Sequence, residues 1–202
     1  MMARRVIIPA LPQFLQRFPR LEVELSSTDR QVDLLREGFD CVMRIGVLHD
    51  LDVVARPVGQ LSMRNCASPA YLARYGVPRT LQDLAGHQLV HYVRTLGARS
   101  TGFEYLQGGE LQYQAMAGVV TVNNAEAYSA ACLAGLGLIQ VPAVGVAEHL
   151  QRGELVSVLE DWQAPAMPVS LLYARQRHVP RRVQAFMQWL GEVLQSQVDR
   201  GR

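Results

Sequence analysis

Asp29-Arg30-Gln31-Val32-Asp33-Leu34-Leu35-Arg36-Glu37-Gly38-Phe39-Asp40-Cys41-Val42-Met43-Arg44-Ile45-Gly46 is the stretch whose reading decides the fold. Thr28 or Asp29 can cap a short helix whose Val32 and Leu35 turn inward. Gly38 is placed to end it in a left-handed conformation. Cys41 to Ile45 then reads as a buried strand that carries Arg44 and Gly46 out at its C-terminal end. In an open α/β sheet ligands gather at that end of the strands, so the segment reads as half of a small-molecule site.

Upstream, Leu11, Phe14, Leu15 and Phe18 share one helical face, with Pro9 and Pro12 near the start and Pro19 closing it. Leu21 to Ser26 alternates strictly and predicts a strand with one buried face. Helix, strand, helix, strand is half of a doubly wound sheet. Downstream, Val53 to Val58 and Met63 to Ala67 read as extended. Ser68-Pro69 opens a helix that Gly76 stops, and Thr80 with Asp83 repeats the capping signal. Phe103 to Tyr113 predicts a hairpin turning at Gly108-Gly109. Val119 to Val122 reads as a strand, Ala125 to Leu133 as an alanine-rich helix, and Gly135 to Pro142 as a tight turn into a buried strand. A helix over Val144 to Gln151, strands at Leu155 to Leu159 and Val169 to Ala174, and a last helix from Pro180 to Val198 complete the chain. A strand-rich middle between α/β segments predicts two lobes. Lobe I is residues 1–67 plus 173–202 and lobe II is residues 68–172.

The chain has 202 residues, of which 49% are hydrophobic, enough for two lobes but with no run long enough to span a membrane. Met1-Met2-Ala3-Arg4-Arg5 leads into only three apolar residues before Pro9, which is no signal-peptide core, so the protein is read as cytoplasmic. Three scattered cysteines, Cys41, Cys66 and Cys132, fit neither a disulfide framework nor a zinc site, and Cys41 and Cys132, in apolar surroundings, read as small core residues. The net charge is +2, and all 20 basic residues are arginine, scattered along the chain without the patch of a DNA-reading domain.

His87 and His91 are four apart, but Gln88 stands where a zinc-protease helix needs glutamate. No G-x-S-x-G elbow occurs, and without lysine there is no phosphate-binding P-loop. Gly135-x-Gly137 precedes a strand instead of following one, unlike a dinucleotide fingerprint. No catalytic residue, metal or cofactor is therefore expected. Asn123 and Asn124 sit between a strand and a helix N-terminus, where free N–H groups favour anions. Ser27 and Thr28 occupy the same context in lobe I. Simpler readings stand beside these. Thr28 and Asn124 serve only as caps, and Arg44 pairs with Asp50 or Asp52.

Further pieces carry a family resemblance: Pro9-Ala10-Leu11-Pro12-Gln13-Phe14-Leu15 with Phe18-Pro19, Ala67-Ser68-Pro69-Ala70-Tyr71-Leu72 with Gly76-Val77-Pro78, Asp83-Leu84-Ala85-Gly86-His87, and Gly135-Leu136-Gly137 with Pro142. Gly153-Glu154-Leu155-Val156 and Val183-Gln184-Ala185-Phe186 follow near the end. In order and spacing, nearly the whole chain resembles the effector-binding (co-inducer) domain of LysR-type transcriptional regulators. The resemblance implies an α/β fold of two Rossmann-like lobes joined by two crossover strands, like type 2 periplasmic binding proteins. It implies a small-molecule effector, an organic acid or aromatic metabolite, bound in the inter-lobe cleft. The implied effector contacts are Ser27, Thr28, Arg44, Gly46, Asn123, Asn124, Gln140 and Pro142. It also implies a homodimer, with the tetramer as the family's larger assembly. The first helix and strand Leu21 to Ser26 would lie against the partner.

The chain departs from the family in two ways. The winged helix-turn-helix and its linker helix have no counterpart, so DNA would be read only through that absent domain. The first strand of lobe I is also missing, which leaves unpaired backbone groups in the sheet. Water, a rearranged segment or a neighbouring chain is expected to fill the gap, or lobe I to be poorly ordered. Two rival readings lack their signatures. A free-standing solute-binding protein needs a secretion signal, and an enzyme needs a nucleophile with a base or a metal cluster.

Overall fold

A β-strand sends successive side chains to opposite faces, so a sheet buried on both sides shows two apolar sets in register. Residues 63–166 show this pattern clearly. Leu89, Ala67 and Leu138 join one buried cluster, while their immediate neighbours Val90, Cys66 and Ile139 join another. The sheet between the clusters is therefore covered on both faces. The structure is a computed structural model that describes residues 2–48, 53–175 and 179–198. Its chain divides into two units, Met1–Ser62 with Met167–Arg202, and Met63–Ala166. Both crossings fall earlier than the positions read from the sequence.

In the first unit the N-terminal helix is wound with wide π spacing over Ala3–Ile7 and continues as α1, Ile8–Arg17. Pro9 has no N–H to give, and the Ile8 amide reaches the Ala3 carbonyl, five residues back. The helix thus starts before Pro9 and holds Pro12 inside it. Strand β1 (Val42–Ile45) pairs antiparallel with β10 (Met167–Ala174), which pairs antiparallel with β2 (Val53–Leu61). The register shifts between Val169 and Ser170, the residues opposite Ile45 and Arg44. The last helix, α5 (Arg181–Val198), buries Val183, Met187, Leu190 and Leu194 of the stripe that its spacing predicts, while the fifth member, Phe186, is half-buried.

Two expectations for this unit are corrected. Leu21 to Ser26 forms no strand. Among the described residues no strand runs beside it, and alternation alone supplies a face but no hydrogen-bond partner. The helix expected from Thr28 to Gly38 is a set of turns. The Asp33 carboxylate takes the Leu35 and Arg36 amides at 3.1 and 3.0 Å, a local bonding pattern that competes with helix propagation. Leu34 is buried there, while Leu35 is 54% exposed. Gly38, with φ of 73°, does end the turn in the left-handed region.

The second unit matches its sequence signals closely. β3 (Met63–Ala67) pairs antiparallel with β8 (Ile139–Pro142) and β9 (Val156–Ser157). α2 (Pro69–Tyr75) has Ser68 as its cap, the Ser68 hydroxyl accepting from the Tyr71 amide. Asp83 and Thr80 close a capping box on a short 3-10 helix, Leu81–Gly86. β4 (His91–Tyr92) runs parallel to β7 (Thr121–Val122), and β5 (Phe103–Gln107) pairs with β6 (Glu110–Gln114) across the glycine turn. α3 (Ala125–Leu133) and α4 (Ala143–Gln151) complete the unit. Residues 88–90 also bond residue 138 in parallel register, Val90 amide to Leu138 carbonyl at 3.0 Å and Leu138 amide to Gln88 carbonyl at 2.8 Å. Gly137 fits this approach because a β-carbon there would stand 2.7 Å from the Gln88 carbonyl oxygen. No helix among the described residues is long and apolar enough to cross a membrane.

Candidate functional site

The parallel run through β7, β4 and β8 gives the second unit a defined carboxyl edge. Asn123-Asn124 follows β7, Val93 to Thr95 follow β4, and Pro142 closes β8. Three of the four residues expected in this unit therefore lie where chains leave parallel strands. Asn124 caps α3, its side-chain oxygen accepting the Ala127 amide at 2.8 Å. Both Asn123 and Asn124 are exposed. Pro142 starts α4 without a side-chain cap, so the first amides of that helix have no side-chain acceptor at the cap position.

Gln140 has a different position from the one expected of a ligand contact. Its amide nitrogen donates to the Asn65 carboxamide oxygen at 2.9 Å and to the Glu104 carbonyl at 2.7 Å. Its amide oxygen accepts the Glu104 amide at 2.7 Å. One side chain thus imitates a neighbouring strand and ties the β5–β6 hairpin to β8. Asn65, fully buried, donates onward to the Leu159 and Trp162 carbonyls at 3.0 and 2.9 Å. Leu159 is a non-glycine residue held at φ of 48°, and Asn65 bonds its carbonyl. The Gln140 backbone amide donates to the Tyr128 hydroxyl at 3.1 Å, where β4 and β8 part. Burial pushes the Tyr128 phenol well above its ordinary range, so it stays protonated.

The sequence missed Asn65 and the Val93–Thr95 strand end. A carboxamide inside the otherwise buried strand Met63–Ala67 is the signal that finds Asn65. His87 is buried against the Tyr71 hydroxyl at 3.1 Å from its Nδ1, while His91 lies in β4 beside Thr121. Cys66 and Cys132 are buried, and desolvation pushes both thiols up to about 12, as suits inert core residues.

In the first unit, Ser27 and Thr28 are exposed. The Thr28 hydroxyl accepts the Arg30 amide at 3.1 Å and caps a turn instead of a helix. Arg44 pairs across from Ser170 at the register shift, half-buried in β1. Asp50 and Asp52, its alternative partners, lie outside the described residues. Gly46 is buried at φ of 102°, where glycine is favoured, and donates its amide to the Pro168 carbonyl at 2.8 Å. Arg44 and Gly46 are thus held together at the start of β10.

The model of the LysR substrate binding domain matches residues 1–195. The chain belongs to that family. The HTH-type transcriptional regulator YhjC of Escherichia coli K12 is 45% identical over 197 residues, covering 98% of this chain and 66% of that relative. An HTH-type transcriptional repressor of Pseudomonas aeruginosa is 34% identical over 193 residues, covering 95% of this chain and 60% of its own length. The chain therefore spans less than two thirds of these curated relatives. The regulatory domain of CrgA, a LysR-type regulator from Neisseria meningitidis, superposes with a TM-score of 0.82 at 25% identity over 95% of this chain and 93% of that domain. This LysR substrate-binding domain accordingly has the two-unit α/β fold that the sequence implied.

Proposed function

We propose that this LysR domain is the effector-sensing and dimerisation part of a bacterial transcriptional regulator that acts in the cytoplasm. Its effector is an organic acid or an aromatic metabolite. The contacts proposed in the second unit are Asn123, Asn124 and the α4 start at Pro142, with Gln140 positioning β8 from behind. In the first unit they are Ser27, Thr28, Arg44 and Gly46. What carries the reading is the family match over residues 1–195. The regulator relatives favour it over a transporter's solute-binding protein and over an enzyme. The effector acts by binding one conformation more tightly than another, which biases the geometry of attached DNA-binding domains. Those domains read the DNA, and the working unit is a homodimer.

A thermal-shift screen of small aliphatic and aromatic carboxylates tests this reading. A true effector at one hundred times its dissociation constant adds about 2.7 kcal/mol of stability. Arg44→Ala should weaken an anionic effector by roughly 1.5–3 kcal/mol in calorimetry, the range for a charge-assisted hydrogen bond. A panel that stabilises nothing contradicts the reading, and unchanged affinity in the variant removes Arg44 from the site.

A further inference from the structure

The β5–β6 hairpin of the second unit turns on Gly108-Gly109, and that turn fixes which backbone groups face inward. Gln107 and Glu110 flank a two-residue loop, so they exchange hydrogen bonds with each other. Alternation makes Tyr105 with Gln112, and Phe103 with Gln114, the other bonded pairs. The amides and carbonyls of Glu104 and Leu106 on β5, and of Leu111 and Tyr113 on β6, therefore point away from the hairpin.

The two outward rows differ. On β5 the Glu104 amide and carbonyl are both taken by the Gln140 side chain at 2.7 Å, and the Leu106 amide donates to the Gln163 carbonyl at 3.1 Å. On β6 the outward groups of Leu111 and Tyr113 have no hydrogen-bond partner among the described residues. The same two residues are exposed, Leu111 at 39% and Tyr113 at 51%, and Leu106, opposite Leu111, is 41% exposed. All three side chains leave one face of the hairpin, because residues two apart on a strand, or directly opposite across it, share a face. Sheets ordinarily protect such an edge with a bulge, a proline or a basic side chain. Here the register of β6 with β5 runs unbroken over five pairs, and residues 103–114 contain neither proline nor arginine.

We propose that the β6 edge pairs antiparallel with the β6 edge of a second copy of this chain, joining two hairpins into one four-stranded sheet. A two-fold axis at Gln112 sets Leu111 of each copy opposite Tyr113 of the other. That register engages every outward amide and carbonyl of these residues, in four hydrogen bonds. It also lays each leucine beside a tyrosine ring, so the apolar strip continues across the joint. The charges favour this pairing. β6 carries one charged residue, Glu110, which comes to lie opposite the neutral Gln114 of the other copy. A parallel approach in register would set Glu110 against Glu110. The contact uses none of the residues proposed for the effector and no part of the first helix.

Disulfide trapping tests the register. Gln112 meets its own counterpart in a non-hydrogen-bonded pair, where α-carbons stand about 4.5 Å apart, within disulfide reach. Glu110 lies four residues out of step with its counterpart, roughly 13 Å along the strand. With Cys41, the half-buried native thiol, changed to serine, Gln112→Cys should give a covalent dimer on mild oxidation, and Glu110→Cys should not. Leu111→Pro removes an outward amide that β5 does not use. Added to Gln112→Cys, it should slow cross-linking at least about tenfold relative to Leu111→Ala, which keeps that amide. Circular dichroism should be retained in each variant. Absence of a covalent dimer from Gln112→Cys leaves the edge to a different partner and overturns the proposal. So does equal cross-linking through Glu110→Cys, the mark of random collision. Equal rates for the proline and alanine variants assign the contact to side chains alone, and overturn the strand pairing.

Discussion

Residues 21–38 and residues 119–133 hold equivalent segments of the two units, and they behave differently. In the second unit β7 lies against β4, Asn124 caps α3, and α3 sends Tyr128 to the edge of β8. In the first unit Leu21 to Ser26 lies outside any ladder, Thr28 caps only a turn, and Leu25 is 39% exposed. Both segments alternate or cap correctly on their own. The difference is in what lies beside them. A strand is stabilised by its neighbour's carbonyls and amides, and a cap by the helix that follows it.

Substitutions can break or sharpen that contrast. Leu138→Ala removes a fully buried side chain beside β4 and should cost about 2–5 kcal/mol in chemical denaturation, whereas Leu25→Ala should stay within about 0.5 kcal/mol. Equal effects would mean that Leu25 is packed. Asn124→Ala should cost about 1 kcal/mol through the lost cap, and Thr28→Ala only a few tenths. A Thr28 effect as large as that of Asn124 would restore a true helix after Thr28.

The smallest effect is set by pH. Burial lowers the affinity of His87 for a proton, while Asp83 opposes the shift. The unfolded chain then binds that proton more readily than the native one. The contribution of a neutral His87 is complete above its ordinary value of 6.5 and is lost as pH falls below that through its lowered native value. His87→Gln should flatten the acid limb of the stability profile. An unchanged slope would place the proton elsewhere.

Local chemistry was the most legible part of the sequence. Ser68-Pro69, Thr80 with Asp83, Gly108-Gly109 and Asn124 each satisfy their own backbone groups within a few residues, and each reappears in the structure. What escaped the sequence depends on distant partners. Gln140 is bound to Asn65 and Glu104, far away along the chain, so its engagement could not be read from β8 alone. The turn at Leu34 to Gly38 escaped because Asp33 suits a helix start and a local turn equally well. The carboxyl edge of β7, β4 and β8 was half legible. Asn123-Asn124 marked it, but the arrival of Val93 there required the parallel register.

Hydrogen exchange with and without a stabilising carboxylate from the thermal-shift panel tests the central claim most directly. Without ligand, Ile139 to Val141 should exchange far more slowly than Leu21 to Ser26. With ligand, the amides from Asn124 to Tyr128 should slow further. A ligand that stabilises the protein yet leaves those amides unchanged would contradict the proposed site.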